Sequence, residues 1–178
     1  MNPEFDALMK AGRRRPLWST AQSTQSVCYG REEIEQLIPH REPMLLLDAI
    51  TEIDLAQGGA RGLRRIAEDD PAFEGHFPGE PVYPGAFLLE TMGQLGLSLM
   101  YFCEHQTITI KAGVAPRRLR LLKIHSAAFL AEVLPGDELT VLAKCLDMNE
   151  FTAIGAGQIL KGGTVCAFAI MEVFLVGA

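Results

Sequence analysis

Apolar positions along this chain recur in two rhythms, a helical one and an alternating one, and the switches between them outline the elements. From Arg31 to Leu37 the apolar residues Ile34 and Leu37 stand three apart among glutamates, a short helical pattern. Ile38-Pro39-His40-Arg41-Glu42-Pro43 ends it, because a proline disfavours the helical conformation in the residue before it. Met44 to Ile53 is apolar and then alternating, which predicts a strand. Gly58-Gly59 marks a turn, and Ala60 to Ala67 alternates as a second strand. After a loop from Glu68 to Tyr83, Pro84 suits the first turn of a helix that runs to about His105, roughly 30 Å long at about 1.5 Å per residue.

That helix is apolar nearly all round (Phe87, Leu88, Leu89, Met92, Leu95, Leu97, Leu99, Met100), with Gly93, Gly96 and Ser98 expected to permit close packing. A membrane span needs about 20 apolar residues with few charges. Here Glu90 and Gln94 interrupt the segment and no Lys/Arg-rich flank orients it, so a buried helix wrapped by a sheet is the better reading. Beyond it, Thr107–Val114, Arg118–Phe129, Glu138–Leu146, Phe151–Leu160 and Thr164–Phe174 carry β-branched or alternating residues, and the last three are expected to form an up-and-down meander. One long helix against a highly curved antiparallel sheet is an α+β layout.

Composition narrows the class. With 178 residues, nearly half of them apolar, the chain can bury the core of one domain. Its net charge of −6 argues against nucleic acid as the main partner. Cys28, Cys103, Cys145 and Cys166 are scattered without metal-ligand spacing and read as buried reduced thiols of a cytoplasmic protein; no metal, cofactor or disulfide framework is expected. Residues 1–30 read as an extension, poorly ordered or bound to the surface, ahead of a domain spanning 31–178. Arg13-Arg14-Arg15 leads into a polar run and not into the apolar core of a secretory signal.

The chemistry concentrates between Phe73 and Gln94, in FEGHFPGEPVYPGAFLLETMGQ. His76 lies in a turn rich in glycine and proline, and Glu90 follows inside the apolar helix. Burying an unpaired carboxylate is costly, so Glu90 needs a partner or a task. An acid and a base in a dry pocket are what proton transfer on an uncharged substrate requires. Taken singly, His76 could merely brace its turn and Glu90 could pair with an arginine; it is their joint register that points to catalysis.

Four blocks, IPHREPMLLLDAI (38–50), FEGHFPGEPVYPG (73–85), FLLETMGQ (87–94) and VLPGDEL (133–139), resemble the hotdog-fold 3-hydroxyacyl-acyl-carrier-protein dehydratases of FabZ type, over roughly residues 32–174. The resemblance implies a dimer whose two sites each join His76 of one subunit to Glu90 of the other, with trimers of such dimers common. The reaction implied is dehydration of a 3-hydroxyacyl thioester, with His76 as base and Glu90 as acid. It also implies that the Gly85 amide polarises the thioester oxygen, that the Val82 carbonyl orients His76, and that Phe77 lies at the substrate. Glutamate at position 90, where the isomerising sister branch usually has aspartate, points to the dehydratase-only branch.

Burial among Phe87, Leu88, Leu89 and Met92 is expected to raise the proton affinity of Glu90 against the helix dipole. Gln94, one turn on, could hold the Glu90 carboxylate or satisfy a buried backbone group. His40 lies in a matched block and reads as fixing a turn, with contact to the substrate as the alternative, and His105 and His125 read as having no chemical role. Tyr83 departs from the methionine usual in that family and could narrow the pocket or place a hydroxyl near the substrate. Arg117, Arg118, Arg120 and Lys123 could steer an acidic acyl carrier protein, or form an ordinary solvated strand edge; coenzyme A is the alternative carrier. The extension hints at a specialised pathway of polyketide or aryl-polyene type. A hotdog acyl thioesterase and a non-catalytic partner subunit are the competing functions.

Overall fold

The computed structural model describes residues 3–116 and 118–176. Helix α1 spans Pro3–Gly12, strand β1 Gln25–Tyr29, helix α2 Arg31–Leu37, β2 Ala49–Asp54 and β3 Gly59–Arg65; a 3-10 turn covers Pro71–Glu74, and helix α3 Gly85–His105. Four long strands follow: β4 Arg118–Phe129, β5 Glu138–Met148, β6 Thr152–Lys161 and β7 Thr164–Val176. All strands pair antiparallel in one open sheet of order β1-β2-β3-β5-β6-β7-β4. The expected meander is present as β5-β6-β7, and β4 returns to the far edge beside β7.

The core lies where the sheet curves around α3. Leu88, Met92, Leu95, Leu99 and Phe102 of the helix are buried against Ile50 and Ile53 of β2, Leu139 and Val141 of β5 and Ile159 of β6. By length and composition α3 could cross a membrane, yet it packs here against β3, β5, β6 and β7. Within one chain a Cβ on Gly93 or Gly96 would meet nothing within 4 Å among the described residues, and both line a cavity.

Two expected strands are corrected. Residues 44–48 are not in a strand, because the amides of Leu46 and Leu47 donate to the Gln94 side chain and not to a neighbouring strand. Residues 107–114 form a loop; the Tyr29 hydroxyl caps the Ile108 carbonyl, and the Lys111 amide donates to the Tyr101 hydroxyl. The segment read as an extension carries α1 and β1. Phe5, Leu8, Met9 and Leu17 pack on Ala156, Phe168 and Ile170 on the outer face of the sheet. The Gln158 amide donates to the carbonyls of Gly12 and Arg15 and accepts from the Leu17 amide, tying the connection down.

Candidate active site

The histidine turn is closed by short-range geometry. Asp70 caps the 3-10 turn through the Ala72 amide, and the chain then bends through His76 and returns, with the Val82 amide donating to the His76 carbonyl. His76 Nδ1 lies 2.7 Å from the Val82 carbonyl oxygen. A carbonyl can only accept, so Nδ1 carries the hydrogen and Nε2 of the neutral ring holds the free lone pair. Phe77 stacks on the imidazole at 4.0 Å between centroids and is itself exposed.

The two ends of this turn meet at Arg64, a buried arginine of β3. Its Nη2 donates to Asp70 at 3.1 Å and to the Tyr83 hydroxyl at 3.2 Å, while Nη1 stands 3.7 Å from Asp48. Tyr83 is buried between Phe73 and Phe87, so its hydroxyl is committed to Arg64. It faces a wide depression of about 1410 Å³ on the other side of the helix start from the cavity described next.

That cavity, about 320 Å³, runs along α3. Its wall is mostly apolar, with Leu89, Met92, Leu97 and Met100 of the helix facing Leu121 and Ile124 of β4 and Met171 of β7. Glu90 is the carboxylate on this wall among the described residues, with His40, Lys144 and Cys145 as the other titratable groups. His76 is not part of it: within one chain the acid lines the cavity and the histidine stands outside.

Glu90 is held on two sides. Gln94 Nε2 donates to Glu90 Oε1 at 2.9 Å, and His40 Nε2 lies 3.1 Å from the same oxygen. Gln94 fills both roles considered for it, since its amide also donates to the Met44 carbonyl and accepts from Leu46 and Leu47. The hydrogen bond from His40, with help from Gln94, outweighs burial and lowers the proton affinity of Glu90 from its ordinary value. The expectation that burial would dominate is therefore corrected, and so is the turn-fixing role read for His40. The missed signal was the position of His40 within a block matching the same family as Glu90; spacing alone could not show that the two would meet.

Gly85 opens α3, where first-turn amides lack intrahelical acceptors. A Cβ there would stand 2.9 Å from the exposed Phe129 ring, so any side chain at this position requires that ring to shift. Arg118, Arg120 and Lys123 are exposed on the edge strand β4, and Arg117 lies outside the described residues. The thiols are free but not uniformly buried: Cys166 is buried, Cys28 exposed, Cys103 and Cys145 half-buried. The neighbouring Cys103 thiol favours ionisation of Cys145, against the opposing effects of burial and Asp147.

Residues 38–169 match the FabA-like domain family. The 3-hydroxyacyl-[acyl-carrier-protein] dehydratase FabZ of Aliarcobacter butzleri is 31% identical over 144 residues, which cover 81% of this chain and 95% of the relative. The protein of the same name from Bartonella quintana is 38% identical over 129 residues, covering 69% and 77%. Among solved structures, the dehydratase heterocomplex ApeI:P from Xenorhabdus doucetiae superposes with a TM-score of 0.63 at 19% identity, over 81% of this chain and 91% of that one. The E. coli PaaI protein from the phenylacetic acid degradation operon gives a TM-score of 0.52 at 16% identity, over 74% and 80%. At such identities the structural likeness speaks to the fold, which is the hotdog.

Proposed function

The chain belongs to the FabA-like domain family, beside the FabZ-type dehydratases, and on that premise we propose that it removes water from a 3-hydroxyacyl thioester on an acyl carrier protein, leaving the trans-2-enoyl thioester. The observation that carries the chemistry is a lone carboxylate, Glu90, on the wall of an apolar cavity sized for an acyl chain, together with a histidine whose Nε2 is left free by the Val82 carbonyl.

The difficult step is removal of a weakly acidic proton beside the thioester carbonyl. His76 Nε2 takes it as the carbon–oxygen bond at the 3-position breaks, and protonated Glu90 delivers a proton to the departing hydroxyl, which leaves as water. The Gly85 amide, at the positive end of α3, donates to the thioester oxygen as charge gathers there. Entry of the acyl chain displaces water from around Glu90, and this desolvation supplies the protonated form that the free chain disfavours. Because His76 and Glu90 of one chain do not share a cavity, a second copy supplies the missing member of each pair, with the edge strand β4 as the joining surface. Carrier protein docks through the exposed Arg118, Arg120 and Lys123.

The test is enoyl-thioester formation from 3-hydroxyacyl substrates on carrier protein and on coenzyme A, comparing wild type with His76→Ala and Glu90→Gln. Activity that falls by about 10³-fold or more in both variants is the expected result. Release of free thiol without dehydration would instead assign a thioesterase.

A further inference from the structure

His40 has no part in the pair above, yet it touches Glu90 more directly than any other titratable group. Its Nε2 lies 3.1 Å from Glu90 Oε1, while its Nδ1 is buried with no hydrogen-bond partner. A hydrogen on Nδ1 would be a buried donor without an acceptor, a costly arrangement. With a hydrogen on Nε2, the ring donates to the carboxyl oxygen. Gln94 Nε2, fixed by its own contact to the Met44 carbonyl, donates to that same Oε1. Two donors thus converge on one carboxyl oxygen, while among the described residues none bonds the other.

Resting on the dehydratase reading, we propose that His40 is a positioning residue for the acid: with Gln94 it saturates Oε1 and so assigns Oε2 as the oxygen that exchanges its proton with the substrate hydroxyl. Protonated on Oε2, the acid still accepts both bonds at Oε1; ionised, it keeps them. The carboxyl does not rotate between giving up its proton and regaining it, and the orientation needed for transfer is prepaid. The same donor offsets the rise in proton affinity that a bound acyl chain imposes, so the acid stays strong enough to protonate a hydroxyl. Of the other titratable groups on this wall, Lys144 and Cys145 come from β5, and neither is bonded to the carboxyl.

The variants are His40→Ala, which removes the donor, and His40→Gln, whose amide can present an N–H to the same oxygen. The first readout needs no turnover: the Glu90 carboxyl is titrated by 13C NMR in substrate-free protein, its signal assigned by its loss in Glu90→Gln. Its midpoint is expected to rise in His40→Ala and return toward wild type in His40→Gln. The second is the pH profile of kcat. Activity that needs a protonated acid is lost as pH rises through the acid's pKa, so the alkaline limb moves to higher pH in His40→Ala. There kcat falls by about 10²-fold with little change in KM, and His40→Gln recovers much of it. An unchanged Glu90 titration in His40→Ala, or a kcat loss with an unmoved limb and no recovery in His40→Gln, overturns the proposal. Wild type with no dehydratase activity, but with the expected Glu90 titration, would sink the dehydratase reading while leaving the contact between His40 and Glu90 in place.

Discussion

The turn that carries His76 is clamped by a residue nine places ahead of the nearest motif, Arg64, whose guanidinium joins Asp70 at the start of that turn to Tyr83 at its end. Replacing Arg64 by leucine would leave Asp70 and the Tyr83 hydroxyl without their charged partner; breaking a buried pair in this way costs about 3–5 kcal/mol. Tyr83→Phe removes a single bond and is expected to cost about 0.5–1.5 kcal/mol. Urea denaturation checks both, and kcat is expected to fall further in Arg64→Leu than in Tyr83→Phe if the clamp holds His76 in register. At this scale the sequence reading was uneven. The spacing of His76, Val82, Gly85, Glu90 and Gln94 was legible because each lies within one turn or one helix, where separation along the chain sets separation in space. The contact between His40 and Glu90 and the use of Tyr83 by Arg64 were not legible, since both join residues through the fold.

Among the elements, those governed by their own periodicity were the readable ones: α2, α3 and β4 through β7 lie within a few residues of their predicted limits. Elements whose form is decided by a partner were not. Residues 44–48 have strand-like composition, but Leu46 and Leu47 give their amides to Gln94 and Met44 and Leu45 give theirs to the Arg41 carbonyl, and α1 and β1 exist because the sheet offers them a surface and an edge. A polar strap secures the latter segment. Asp54 is buried and accepts from Ser23, Thr24 and both the side chain and the amide of Gln57. Burial alone would raise its proton affinity, but these bonds outweigh it and hold the carboxyl well below the usual range. A depressed folded value means that this stabilisation is present above the unfolded value of about 3.9 and is lost as pH falls through the folded one, so the strap is insensitive to pH near neutrality. Asp54→Asn at neutral pH keeps the oxygen that accepts from Ser23, Thr24 and the Gln57 side chain but turns the other into a donor facing the Gln57 amide, and is expected to cost about 1–3 kcal/mol. Hydrogen exchange should then quicken at residues 21–24 and leave β5–β7 protected. Gly12→Ala loosens the other end, because its Cβ would collide with the buried Phe168 ring.

For the molecule as a whole, the decisive question is whether each site belongs to one chain or two. β4 is the last strand of the open sheet, and Leu121, Leu122, Ile124 and Phe129 stay exposed on it. An edge so long and apolar invites pairing with a copy of itself. Leu122→Asp is therefore expected to shift the protein to monomers in sedimentation and to abolish dehydration while α3 remains folded. A mixing experiment separates shared sites from private ones. His76→Ala and Glu90→Gln chains, each inactive, are unfolded together and refolded at equal concentration. If every site takes His76 from one chain and Glu90 from the other, half of the dimers are mixed by random association, and each mixed dimer has one site with both groups intact and one with neither. Activity should then recover to about a quarter of wild type. If both groups of a site come from the same chain, every site in every dimer lacks one of them, and mixing restores nothing. Co-refolding either variant with wild type controls for yield, and a recovery near a quarter would also fix β4 as the surface that completes the site, provided Leu122→Asp in both chains removes it.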